Sequence, residues 1–149
     1  MTADRLVQLF PALATSDYEI TSLADPAYNC IAWAAEDTAR WWEPVPIPLP
    51  SYYWPEGVSL ELTLASYVQA FESLGYRVCD DDSLESGFMK IALYVSADGL
   101  PTHAARQLAS GAWTSKLGKS VDIRHRVLTV LEGDMYGRVA CVMRRPRQS

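Results

Sequence analysis

The chain is 149 residues long, 49% hydrophobic and 21% charged, with a formal net charge of −5. That length fits one compact core, the apolar fraction excludes wholesale disorder, and the acidic balance excludes a nucleic-acid binder working by bulk positive charge. Three scattered cysteines, Cys30, Cys79 and Cys141, are the wrong count for a disulfide-stapled secreted scaffold.

Residues 1–20 read as a short lead into a single domain. Asp4, Gln8 and Pro11 interrupt the apolar run that a secretory signal needs, and no stretch approaches the roughly twenty apolar residues that span a bilayer. The expectation is a cytoplasmic protein, with export by a route that cleaves no signal left open. It binds neither membrane nor nucleic acid, and nothing fixes its oligomeric state. Asp25-Pro26 opens a turn or a helix start, and Asn29 is a second possible cap. From Cys30 to Arg40 the chain is alanine-rich with no breaker, which predicts a helix. Cys30, Trp33, Ala34 and Trp41 would share one face of it.

Pro44, Pro46, Pro48 and Pro50 then alternate, which no helix or central strand survives. Trp41-Trp42 and Tyr52-Tyr53-Trp54 flank this connector, so residues 41–55 read as a loop pinned to the body by its aromatics. The same stretch suits one wall of a cleft, or a polyproline ligand for another protein. Leu64, Tyr67, Val68, Phe71 and Leu74 recur at the spacing of an amphipathic helix that Thr63 or Ser59 caps and Gly75 ends. A short strand Tyr76–Cys79 follows, then an acidic solvated loop from Asp80 to Gly87. Three strands come next, Lys90–Val95, His103–Leu108 and Trp113–Leu117, joined at Asp98-Gly99 and Ser110-Gly111 into an antiparallel meander. Arg138–Met143 reads as a closing strand, and residues 144–149 as a solvated basic tail. Helices first and an antiparallel sheet after them is an α+β layout.

One constellation suits chemistry. A helix N-terminus lowers a thiol pKa, and Cys30 stands at a predicted helix start. His103, on the second strand of the meander, is the candidate base; Ser115 or Asp122 would orient its ring. The backbone N–H of Cys30, with the Asn29 side chain, would stabilise an oxyanion. Trp33 and Trp54 would shape a substrate cleft together with Trp41, Trp42 and Tyr53, and Lys116 would bind an anionic group of the substrate. The same residues have plainer readings: Cys30 as a small buried hydrophobe, Cys79 and Cys141 as core, and His125 as an exposed or carboxylate-paired side chain. No two Cys or His residues show paired zinc spacing, so no metal or other cofactor is expected.

The order of Cys on a helix start, His on a strand and a polar residue on the next strand resembles papain-like cysteine hydrolases, the small bacterial cell-wall amidases above all. Separately, the strings Tyr28-Asn29-Cys30-Ile31-Ala32-Trp33-Ala34, Lys90-Ile91-Ala92-Leu93-Tyr94, His103-Ala104-Ala105-Arg106 and Trp113-Thr114-Ser115-Lys116-Leu117-Gly118 look like the marker segments of an uncharacterised bacterial domain family. That likeness runs over about residues 26 to 143 and implies no activity of its own. Two functions follow as expectations. The first is a cysteine hydrolase or acyltransferase acting on an amide or peptide-like bond. The second is a non-catalytic module that holds a partner protein through residues 41–55.

Overall fold

Lys90 to Val95 is buried residue after residue, which a strand achieves only when both of its faces are covered. The computed structural model, which describes residues 2–46 and 50–147, places this strand, β5 (Phe88–Val95), near the middle of a seven-stranded sheet. The other strands are β1 (Tyr18–Ile20), β4 (Arg77–Cys79), β6 (Pro101–Gln107), β7 (Trp113–Lys116), β8 (Asp122–His125) and β9 (Arg138–Pro146). They lie in the order β1-β8-β7-β6-β5-β9-β4, every pair antiparallel. The two remaining strands, β2 (Trp41–Trp42) and β3 (Tyr52–Tyr53), pair parallel to each other outside it.

Helices cover the sheet on both faces. On the front, α2 (Cys30–Ala34) and α3 (Leu64–Glu72) pack over Ile91, Leu93, Ala104 and Met143. On the back, α1 (Ala3–Leu9) and the 3-10 turns Pro11–Thr15 and Leu128–Leu131 pack over Ala92, Tyr94, Ala105, Trp113 and Ile123. The α+β layout stands, with few helices around a large antiparallel sheet.

Several local features follow from named residues. Thr63 caps α3 by accepting the Ser66 N–H at 3.1 Å, and Gly75 adopts a φ of +96° just past its end. At Gly137 the backbone passes so close to β5 that an added Cβ would lie 1.9 Å from the Val95 carbonyl oxygen.

Four expectations need correction. α2 stops at Ala34 instead of running to Arg40, because the Asp37 carboxylate captures the backbone N–H groups of Ala39 and Arg40 and folds the chain into a turn. The lead is part of the body: Leu6, Phe10 and Leu13 are fully buried in the back core. The closing strand does not extend the meander. β8 does that, while β9 crosses to the other side of β5. Arg144 and Arg145 belong to β9 and pair with Glu85 and Glu36, so they are not a free tail. Pro48 of the connector and positions 148–149 of the tail lie outside the described residues.

Candidate functional site

Asn29 caps α2 and fastens the connector to it. Its side-chain oxygen accepts from the Ala32 N–H at 3.0 Å and from the Trp42 N–H at 3.2 Å, and its amide nitrogen donates to the Trp42 carbonyl at 2.7 Å. The side chain expected to meet an oxyanion therefore commits its oxygen and one of its two amide N–H groups to structure. Cys30 follows at the first position of the helix, partly buried against the front core. Burial pushes its thiol up to about 11, outweighing the backbone hydrogen bonding at Ala104 and Ile31 that favours the thiolate.

His103 lies on the other side of the sheet. It is register partner to Tyr94, so its ring joins the back core, while the next residue, Ala104, faces α2. The imidazole stacks on Tyr136 at 4.1 Å and 8°, with the edge of Tyr94 at 5.2 Å. Neither ring nitrogen has a hydrogen-bond partner among the described residues, and burial holds the group well below the usual histidine range. The thiol packs with the front core and the imidazole with the rings of the back core, and no hydrogen bond joins Cys30 to His103 among the described residues.

The proposed orienters have other partners. Ser115 shares the back face with His103 but bonds His125 Nε2 at 2.8 Å, and His125 Nδ1 lies 3.0 Å from the Val127 carbonyl. His125 is thus buried and satisfied rather than exposed or paired with a carboxylate, and burial lowers it to about 4. Asp122 faces the front, where one carboxylate oxygen accepts from the Tyr28 hydroxyl at 2.9 Å. Lys116, its register partner, is 0% exposed, donates to the Ser120 carbonyl and lies 4.9 Å from the Tyr28 ring centre. It is closed off from any substrate, and burial lowers its pKa. Trp33 is held by a 2.9 Å bond from its indole N–H to Thr114 and by Arg106, 5.1 Å from its ring.

The accessible chemistry lies in the connector. β2 and β3 set Trp41 beside Tyr52 at 6.3 Å and Trp42 beside Tyr53 at 4.9 Å. Trp42 is buried, and its indole N–H donates to Asp37 at 2.8 Å. Burial works against the Asp37 charge, yet hydrogen bonds from Trp42, Ala39 and Arg40 keep its carboxyl below the usual range. The pinned-loop reading holds at Trp42. The neighbouring aromatics remain accessible, and two hollows of about 290 Å³ each flank them. One is bounded by Glu43, Val45, Tyr52, Tyr53, Trp54 and Leu60. The other is bounded by Ala27, Ala39, Trp41, Ser51, Tyr52 and Lys119. Tyr52 lines both. A larger hollow of about 580 Å³, beside Ser96, Met135 and Arg138, has no aromatic ring in its wall.

Of the residues expected to form the site, Trp41, Tyr53 and Trp54 line these two hollows, while Trp33, Trp42 and the catalytic candidates do not. Glu43 and Tyr52 fall within the connector 41–55 but are not singled out as site residues there, and Leu60 lies outside it. Glu43 carried a signal, as the one carboxylate between the Trp pair and the first proline. Among the described residues no group of three His, Cys, Asp or Glu side chains gathers to hold a metal, and no helix is long and apolar enough to cross a membrane. No curated protein and no solved structure matches the chain. A family model described as a domain of unknown function (DUF7689) matches residues 19–144, from β1 into β9. That span includes every marker string read in the sequence, and the chain belongs to this family.

Proposed function

We propose that the protein is a non-catalytic protein-binding module whose contact surface is the aromatic connector, residues 41–55. One observation carries this reading: the β2–β3 pair sets accessible aromatic rings between two hollows on an anchored frame. Aromatic walls of this kind supply large contact area at low conformational cost, which is why such residues dominate binding hot spots. The overall charge of −5 favours a basic partner.

The cysteine hydrolase reading, with the papain-like architecture that would accompany it, retains in its favour the position of Cys30 at a helix start. It lacks a base beside the thiol, since the imidazole lies across the sheet. The binding reading therefore leads.

The test is selection from a random peptide display library on the immobilised protein, repeated with Trp54→Ala and Cys30→Ser. Enriched sequences that bind the parent and Cys30→Ser equally, and lose at least about tenfold in affinity to Trp54→Ala, are expected. An empty selection, or sequences indifferent to Trp54, would sink the proposal.

A further inference from the structure

The hollow beside Glu43 has a chemistry that narrows its occupant. We infer that it receives an arginine side chain from a basic segment of the partner, an inference that rests on the binding-module reading. Tyr52, Tyr53 and Trp54 all line one cavity of about 290 Å³, with Leu60 and Val45 adding apolar wall and Glu43 the only charged lining residue among the described residues. A desolvated cation beside aromatic faces and a carboxylate is stabilised by both.

Two of the wall residues are held before any guest arrives. The Trp54 indole N–H donates to the Ser59 carbonyl at 2.9 Å, and its ring packs 5.0 Å from Tyr67. The Glu43 N–H donates to the Tyr53 carbonyl at 3.1 Å, which places the carboxylate-bearing residue directly against the ring pair. Glu43 is partly exposed and takes part in none of the ion pairs among the described residues. By contrast Asp37 and Glu36, nearby in sequence, are already paired with Arg40 and Arg145. Exposed Glu56 and Glu61, in the segment that supplies Leu60, add negative charge in the same stretch of chain.

Arginine, rather than lysine, follows from the shape of the wall. A guanidinium is flat, stacks on rings and bonds a carboxylate through two N–H groups, whereas an ammonium is a compact, strongly hydrated point charge. The molecule itself provides the precedent. The Arg40 guanidinium lies 3.6 Å from the Tyr53 ring centre, anchored by Asp37 at 2.8 Å. That arrangement of ring, guanidinium and carboxylate is what the inference places a second time, with Glu43 as the carboxylate.

The experiment compares three fluorescein-labelled peptides of one Gly/Ser-rich sequence carrying arginine, lysine or citrulline at the same positions, read by anisotropy at low and high salt. The arginine peptide is expected to bind, with the lysine peptide weaker and citrulline at least about tenfold weaker. Glu43→Gln should reduce arginine binding about tenfold and flatten its salt dependence, while Glu43→Asp, which keeps the charge, should retain most of it. Equal binding of arginine and citrulline, or an unchanged affinity in Glu43→Gln, overturns the inference. Thermal unfolding of each variant reports whether the fold is intact. If no arginine peptide binds but displayed sequences still depend on Trp54, the arginine assignment falls and the module stands. If neither binds, both fall.

Discussion

Two effects compete at the Cys30 sulfur. A helix start favours the thiolate, and burial disfavours it. α2 has five residues, so its dipole is weak, and its first N–H groups are partly claimed by Asn29. Burial wins, and the thiol sits at about 11 rather than its ordinary value of 9.0. Alkylation by iodoacetamide at pH 7.5 should accordingly run on the order of a hundredfold slower at Cys30 than at the same residue in the denatured chain. His103→Ala should leave that rate unchanged in the folded protein. Peptide mapping by mass spectrometry reads both. A Cys30 that reacts faster than a free thiol and slows when His103 is removed would restore the hydrolase.

At the scale of elements, legibility tracked how local the deciding interaction is. α3 was readable because its stripe, cap and terminating glycine lie within a dozen residues. The meander was readable from strands bracketed by tight turns. The face on which each β6 residue lies was not readable. In a sheet covered on both sides, alternation carries no contrast between core and solvent, and His103, Ala104 and Ala105 are all buried. The residue order that suggested a catalytic pair is blind to this parity. Nor could the pairing of Trp41-Trp42 with Tyr52-Tyr53 be read, since it joins residues across the connector. Asn29 holds that pairing to α2, and its loss has consequences beyond a cap. Asn29→Ala removes the cap and both bonds to Trp42, which should cost about 2–4 kcal/mol in urea unfolding, above the ordinary ~1 kcal/mol for a cap alone. It should also raise proteolytic cleavage within 43–51 before global unfolding, a signature that a cap loss without connector release would lack.

For the whole molecule the back core sets the response to acid. His103 and His125 are both fully buried, both face that core, and both are shifted below the unfolded value near 6.5 by loss of solvent. The groups around His103 are the rings of Tyr94 and Tyr136, with His125 as the nearby titrating cation. The unfolded chain therefore takes up protons at a higher pH than the folded one. Stability is complete above about pH 6.5 and falls as the pH drops towards 4. His125 alone accounts for on the order of 3 kcal/mol across that window. Urea midpoints measured from pH 7.5 to 4.5 should fall steeply. His103→Phe should reduce the slope, because a phenyl ring suits the stack and binds no proton; an unaltered slope would exclude His103 as a contributor. The connector has a consequence of another kind. Both of its ends are clamped where β2 meets β3, in parallel, so any tether joining Trp42 to Tyr52 has its endpoints set by that pairing. Lengthening such a tether adds only a logarithmic closure entropy. Inserting several residues there should therefore leave the ring pairs Trp41–Tyr52 and Trp42–Tyr53 at their present spacing.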